Sequence, residues 1–410
     1  MAGPGAYLFG DEERKELLDV METGYLSRYG SEDDPRFKQK VVTFEREFAD
    51  YVGTEHAICV NGGTGALLIC LTALGIGPGD EVIIPGYTFI ASISAICYAR
   101  AIPVLAEIDE SLTIDPEDIE RKITPKTKAI MPVHMLGNPC DMDRIMKIAG
   151  KHNLYVIEDC CQINGGSYKG KKCGTFGEIS AFSLNVNKTI TTGDGGVVVT
   201  DDQSLYEKAF AFHDQGHMPL RTGLEIGKRS IIGLNFRVNE LTGAVALAQL
   251  RKQDKIVAMC REKKAKLKKL LSEINGIGFR RINDEEGEIS TLLTLLFKDR
   301  EIADKFADQL GVKTLISSGW HVYNNMEQII NQKMPNGSSC PFHCSYYNKT
   351  IEYKAHMLPN TDEILSRAVS ISIGVVDKGI GAGAGLNVLS TDEEIEKLAD
   401  RIKSIMKEIS

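Results

Sequence analysis

Residues 56–75 read HAICVNGGTGALLICLTALG. The first five form a short apolar run, the glycine-rich NGGTGA that follows is turn chemistry, and the remainder is apolar enough for a buried helix. A strand that passes through glycines into a helix sets backbone N–H groups at a helix N-terminus, where an anion is favoured and can come close. The stretch has no Gly-Lys-Ser/Thr and lacks the full Gly-x-Gly-x-x-Gly spacing, so it is neither a Walker loop nor a dinucleotide fingerprint. Read by itself, Asn61–Ala66 is as much a tight turn as a phosphate cradle.

The same alternation runs outward from it. Helical periodicity marks DEERKELLDVMET (11–23) and DPRFKQKVVTFEREFADYV (34–52) on one side. On the other, the strand-like EVIIP, IPVLAEI, KAIMPV and YVIED alternate with the helix-like FIASISAICYAR, PEDIERKI and DMDRIMKIAGKH, and AFSLN and GGVVVT follow as further strands. Short apolar strands joined by helices pair in parallel through crossovers, which predicts a doubly wound α/β domain over residues 1–250. From about residue 250 the pattern changes. QLRKQDKIVAMCREKKAKLKKLLSEI (249–274) reads as a charged helix with a solvated lysine face, leading into a smaller α+β domain over residues 251–410. That domain contains the strand-like STLLTLLF and AVSISIGVV, the helix-like REIADKFADQLG, and a final amphipathic helix, TDEEIEKLADRIKSIMKEI.

Composition narrows the partners. The chain has 410 residues, 43% hydrophobic and 25% charged, with a net charge of -8. An acidic balance argues against nucleic acid or an anionic membrane surface as main partner. No apolar run approaches the roughly 18 residues of a membrane span, and MAGPGAYLFGDEERKE lacks the basic-then-apolar order of a signal peptide. The expectation is a cytoplasmic protein acting on small molecules. Ten scattered cysteines fit reduced thiols. One cluster, Cys340, His343 and Cys344 in CPFHC, offers three metal ligands, but no second Cys/His pair stands at zinc spacing, and a loop role is the expectation.

In a doubly wound sheet the ligand sits at the carboxyl ends of the strands. There the chain places NGGTGAL, GYTF, HMLGN, Asp159 followed by CCQ, and NKTITTGDGG. Asp159 ends an apolar strand, where a carboxylate needs a cap, a salt bridge or a cationic ligand group such as a protonated pyridine nitrogen. Phe89 is either core or a stacking surface for a flat ring. Lys188 in NVNKTITTGDGG (185–196) has small, apolar or amide neighbours, with Asp194 the nearest carboxylate in sequence. It is either an exposed turn lysine or, in a desolvated pocket, an amine available for Schiff-base chemistry. A phosphate loop, a stacking aromatic, a carboxylate for a ring nitrogen and an imine-forming lysine are together the parts of a pyridoxal phosphate site.

At these residues the sequence resembles the DegT/DnrJ/EryC1/StrS family of sugar aminotransferases, most specifically through VIEDCCQINGGSYKG, FSLNVNKTITTGDGGVVVTDD and NFRVNELTGAVALAQL. The resemblance implies the aspartate-aminotransferase-like fold, fold type I, with a large, mainly parallel sheet. It implies pyridoxal 5'-phosphate as cofactor, Lys188 as the Schiff-base lysine and Asp159 as partner of the pyridinium nitrogen. It further implies Gln162 near the ring hydroxyl, Phe89 stacked on the ring, and Gly63, Thr64 and Ser183 on the phosphate. Asn235 would reach the phosphate from a neighbouring subunit, which makes a homodimer with a shared active site the expected unit. The implied reaction moves an amino group from an amino acid, glutamate being the expected donor, to a keto or aldehyde sugar.

The chain departs from the family where histidine is often found, at Asn185, and where glutamate is often found, at Asp194. Related sugar dehydratases replace the lysine by histidine, so Lys188 favours transamination. A nucleotide-sugar aminotransferase, a cofactor-binding regulatory protein and a nicotinamide dehydrogenase are the other readings; the incomplete glycine fingerprint counts against the last. GWHVYNNMEQI, MLPNTDEILSRAVSISIGVV and GIGAGAGLN are similar to the branch that makes 8-amino-3,8-dideoxy-octulosonate, a lipopolysaccharide core sugar. Trp320 and His321 in GWHVYNN either contact substrate or only pack.

Overall fold

The computed structural model describes residues 3–219, 231–335, 340–347 and 351–409. Strands β1 (His56–Val60), β2 (Glu81–Pro85), β3 (Ile102–Ala106), β4 (Thr127–Ile130) and β5 (Tyr155–Asp159) arise from the apolar runs read above. A small ribbon, β6 (Ser167–Tyr168) with β7 (Lys171–Lys172), precedes β8 (Ile179–Ser183) and β9 (Gly196–Thr200). Seven of these strands form one sheet in the order β1-β9-β8-β5-β4-β2-β3. The pairs from β8 to β3 are parallel, whereas β9 runs antiparallel to both neighbours. The α/β class and the mainly parallel sheet are as expected. β9 is the exception because residues 184–195, which join it to β8, carry no crossover helix, so the chain turns back to pair with β8 antiparallel.

Crossover helices cover the sheet, and helices in both parts of the chain start at a side-chain cap. Asp115, Asp141, Asp202, Asn239 and Asp299 each accept a first-turn N–H, as short polar side chains do at helix N-termini. The helix expected from Asp34 begins only at Lys40. Asp34 instead accepts from the backbone and side chain of Arg36 in a local turn, Gln39 is left-handed at φ 55°, and Glu240 caps the backbone N–H groups of Lys40 and Val41 at 2.7 and 3.1 Å. Glu240–Leu250 itself is a helix buried on nearly all sides, so its sequence lacks the polar stripe that marks a surface helix.

The C-terminal part carries an antiparallel sheet of β10 (Gly278–Phe279), β11 (Leu292–Leu296) and β12 (Ala368–Ser372), with β11 central. Helices Gln253–Leu271, Arg300–Leu310 and Asp392–Ile409 pack on it through Cys260, Leu267, Phe306, Ile371 and Ile402. The lysines of Gln253–Leu271 are not all solvated. Lys264 is buried with its ammonium 2.5 Å from Glu288, which Arg280 also holds at 2.7 Å. Leu315, Val322, Tyr323 and Leu358 lie between β11 and β12 in sequence, yet they pack into the apolar core of the large sheet. Among the described residues no helix is long and apolar enough to cross a membrane.

The expectation of ten free thiols is corrected at one place. Eight cysteines are unpaired, but Cys340 and Cys344 are joined in a disulfide, the turn between them bringing their Cα atoms to 4.4 Å.

Candidate active site

Asp159 ends β5, only 3% exposed. Its Oδ2 accepts a hydrogen bond from Ser92 Oγ at 2.7 Å and its Oδ1 accepts from the Cys161 N–H at 3.0 Å. Ser92 stands on helix Ile90–Tyr98, which follows β2, and lies 2.9 Å from Thr88 Oγ1. Because a carboxylate only accepts, Ser92 donates to Asp159 and in turn accepts from Thr88. No cation pairs with Asp159 among the described residues. A buried carboxylate without a cationic partner is costly, and this one opens onto a cavity.

Successive side chains of a strand face opposite ways, and Glu158 points away from that cavity into a satisfied network. It accepts from the backbone N–H groups of Gly174, Phe176 and Gly177. His134 Nδ1 accepts from the Cys140 N–H at 3.0 Å, so Nε2 carries the proton and donates to Glu158 at 3.1 Å. His134, Glu158 and Cys160 lie close enough to share a metal ion, but the histidine and glutamate atoms are already used in structural hydrogen bonds.

Lys188 sits on the loop between β8 and β9, and its ammonium has no hydrogen bond or ion pair among the described residues. Its backbone N–H donates to Asn185 C=O at 2.9 Å. From outside, the Gly3 N–H donates to Val186 C=O at 2.8 Å, and a Cβ on Gly3 would stand 2.4 Å from the Lys188 carbonyl oxygen. The first residues of the chain thus brace the lysine loop, and only glycine fits there. Gln162 accepts through Oε1 from the Leu136 N–H at 3.0 Å, which leaves its side-chain NH2 without a protein partner among the described residues. The Leu136 carbonyl is held in turn by Arg280 at 2.7 Å. Phe89 is 39% exposed, so its ring is available to a ligand rather than sealed in the core.

Helix Gly63–Ala73 begins at Gly62 with no side-chain cap, in contrast to the five capped helices. Its first N–H groups are left for a ligand. Ser183 ends β8 beside them: a Cβ on Gly63 would lie 3.2 Å from Ser183 Oγ.

Gly63, Thr64, Phe89, Asp159, Gln162, Ser183 and Lys188 all line one cavity of about 310 Å³, within the size range of small-ligand sites. Asn235 does not line it. It borders a shallow hollow with Asn61, Arg237 and Asp194, of which Asp194 alone also reaches the cavity. Asn185 and Asp194, the two departures from the family pattern, are each other's partners, with Asn185 Nδ2 donating to Asp194 Oδ1 at 3.0 Å. Sequence reasoning missed Ser92, Asn187 and Asp377. Ser92 stands three residues after Phe89 on the same helical turn, a spacing that carried the only available signal; nothing local marked Asp377.

Residues 9–376 match the DegT/DnrJ/EryC1/StrS aminotransferase family. The chain belongs to that family. GDP-perosamine synthase of Caulobacter vibrioides is 44% identical over 247 residues, covering 60% of this chain and 63% of that protein. The match therefore spans less than two thirds of that relative's length. The spore coat polysaccharide biosynthesis protein SpsC of Bacillus subtilis is 29% identical over 408 residues, 98% of this chain and 96% of that protein. The crystal structure of 3-amino-5-hydroxybenzoic acid synthase superposes with a TM-score of 0.79 at 27% identity, covering 100% of this chain and 98% of that one. The family and the fold read from the sequence are thereby established.

Proposed function

We propose that this protein is a pyridoxal 5'-phosphate-dependent aminotransferase that moves the amino group of an amino acid, glutamate, to the carbonyl carbon of a keto or aldehyde sugar. The observation that carries it is the buried Asp159 carboxylate with no cationic partner among the described residues, in one cavity with the amine of Lys188, which likewise has no partner among them. That pair fits a cofactor with a cationic ring nitrogen and an aldehyde. Pyridoxal phosphate, when bound, supplies an electron-withdrawing ring that stabilises negative charge at the carbon losing its proton.

Each residue then has a task. Asp159, fixed by Ser92 and the Cys161 amide, faces the ring nitrogen and keeps it protonated. Gln162 turns its free NH2 to the ring hydroxyl, and Phe89 covers one ring face. Gly63 and Thr64, at the uncapped helix start, hold the phosphate with Ser183. Lys188 Nζ takes a proton from the donor α-carbon and returns one, as general base and then acid. Overall, glutamate leaves as 2-oxoglutarate and the sugar carbonyl becomes an amine.

For the acceptor, the finer reading is 8-oxo-3-deoxy-octulosonate converted to its 8-amino form, as a step toward lipopolysaccharide; the similarity of GWHVYNN and GIGAGAGLN to that branch supports it. The working unit in this reading is a cytoplasmic homodimer in which Asn235 serves the partner's cavity, supported by the exposure of Ile232 (94%) and Leu234 (51%) beside it. Residues 1–250 act as the cofactor-binding domain and 251–410 as the smaller one.

The test is to load the purified protein with pyridoxal phosphate, add glutamate, and follow 2-oxoglutarate and the cofactor spectrum, then add keto and aldehyde sugars. The expected result is stoichiometric 2-oxoglutarate, followed by spectral recovery with one sugar. Absence of 2-oxoglutarate would overturn the transaminase reading.

A further inference from the structure

Trp320 and His321 border the cavity beside Phe89 and have no part in the cofactor chemistry above. His321 is 5% exposed, with its ring centroid 5.1 Å from that of Phe89. Its Nδ1 lies 3.1 Å from the Gly379 carbonyl oxygen. A carbonyl only accepts, so Nδ1 carries the proton and Nε2 presents a lone pair. Nε2 has no protein partner among the described residues, and it is not sealed from the cavity. Burial, with Lys188 adding to it, lowers the imidazole pKa to about 3, so the ring is neutral at physiological pH.

The ring is held in place from several sides. The Gly379 N–H donates to Asp377 Oδ1 at 2.7 Å, and Asp377 Oδ2 accepts from Asn187 Nδ2 at 3.4 Å. The His321 carbonyl accepts from the Thr88 N–H at 2.9 Å. A histidine serving only as packing would engage both nitrogens, because buried polar atoms are paired as a rule. Here one nitrogen is anchored and the other left open to the cavity.

We infer that His321 is a specificity-determining residue for the acceptor, its Nε2 accepting a hydrogen bond from a sugar hydroxyl, so that this wall selects an uncharged, polyhydroxylated segment of the substrate. The inference rests on the sugar aminotransferase reading. Asp377 places a second acceptor on the same wall, and Lys188 is the only cation among the described residues lining the cavity. A carboxylate or phosphate would face the His321 lone pair and the Asp377 carboxylate with no cation on this wall among the described residues, an arrangement that rejects wrong partners. Any anionic end of the sugar therefore lies away from this wall. Trp320, 61% exposed at the rim, offers its indole face to the C–H surface of the sugar.

Trp320 is also the sole tryptophan of the chain, so its fluorescence reports ligand at the rim. The holoenzyme, H321F and H321Q are compared kinetically with the octulosonate aldehyde named above, with a nucleotide-linked 4-keto-6-deoxy sugar and with glutamate, and the KM for each substrate is read. Loss of one hydrogen bond predicts that H321F raises the KM for the acceptor it uses by about five- to tenfold, leaves glutamate nearly unchanged, and is partly rescued by the amide oxygen of H321Q. An unchanged acceptor KM, or equal rises for acceptor and glutamate, overturns the inference. If H321F does not fold, H321Q against the shorter H321N decides in the same way. Failure of glutamate to yield 2-oxoglutarate would instead sink the aminotransferase reading. In that case Trp320 fluorescence titrated with 3-deoxy-octulosonate decides for His321: weaker binding in H321F supports the inference, and equal binding overturns it.

Discussion

The floor and the His321 wall of the cavity are built in opposite ways. The floor consists of residues that stand at or just beyond the ends of sheet strands: Thr64 after β1, Phe89 after β2, Asp159 at the end of β5 and Lys188 after β8. The wall consists of Trp320, His321 and Asp377 on irregular segments, which reach the cavity only because Leu315, Val322 and Tyr323 pack into the core of the large sheet. The strand ends of the sheet bring most of the floor together, whereas the wall depends on long-range packing. The floor should therefore carry the chemistry common to both half-reactions, and the wall the choice of acceptor.

The strongest test of that division is Lys188→Ala. Removing the only amine on the floor should lower turnover with every donor and acceptor by at least about a thousandfold, given the usual range for positioned acid–base groups. The comparison breaks if 2-oxoglutarate release from glutamate survives while only the sugar half-reaction is lost. Asp159→Asn comes next. It keeps the shape and removes the charge, with an expected loss of about a hundredfold in both half-reactions, in line with removal of one preorganised electrostatic partner. A matching change in the pH titration of the bound cofactor's absorbance ties that loss to the ring nitrogen.

For the wall the readout is stability. His321 titrates near pH 3 when folded, because it is buried, against about 6.5 when unfolded. The unfolded state therefore binds the extra proton first as pH falls, and the stability held above pH 6.5 is lost progressively down to about 3. Between pH 7 and 5 this one group should account for about 2 kcal/mol, read as a difference in urea unfolding between the wild type and H321F. Equal acid sensitivity in the two proteins would mean that the imidazole is not held neutral in the wall. His213, also lowered to about 3 by burial and by Arg28 beside it, contributes a separate share that H321F leaves intact.

What the sequence reveals follows the same line. Asp159 is legible because it ends a short apolar strand, and Phe89 and Lys188 because they follow shortly after two others, where the carboxyl ends of parallel strands meet at one edge. The helix over Glu240–Leu250 is not, since burial on all sides erases its periodicity. Gly3 is equally silent: its role against the Lys188 carbonyl depends on a contact across 185 positions of sequence. Nor does the sequence pair Asn185 with Asp194, although both stand out singly; the loop between β8 and β9 has to close before the amide reaches the carboxylate.

Ser92 lies between the two cases and yields the smallest and most pointed prediction. It belongs to a helix that was legible, but its bond to Asp159 was not, because a serine in an apolar helix reads as filler. Ser92→Ala removes one of the two donors to the Asp159 carboxylate, leaving the Cys161 N–H, and strands Thr88 Oγ1 with only the Phe89 carbonyl at 3.4 Å. A donor bond to a charged group is worth about 1.5–3 kcal/mol in burial, but part of this is recovered if the carboxylate reorients, so the expected fall in kcat is about three- to tenfold. Both half-reactions should fall together, and the pH titration of the cofactor absorbance should shift in the same sense as in Asp159→Asn. Ser92→Thr, which keeps the hydroxyl, should restore both. If Ser92→Ala instead raised only the acceptor KM, the helix after β2 would belong to the substrate wall, and the division between floor and wall would have to be redrawn at Phe89.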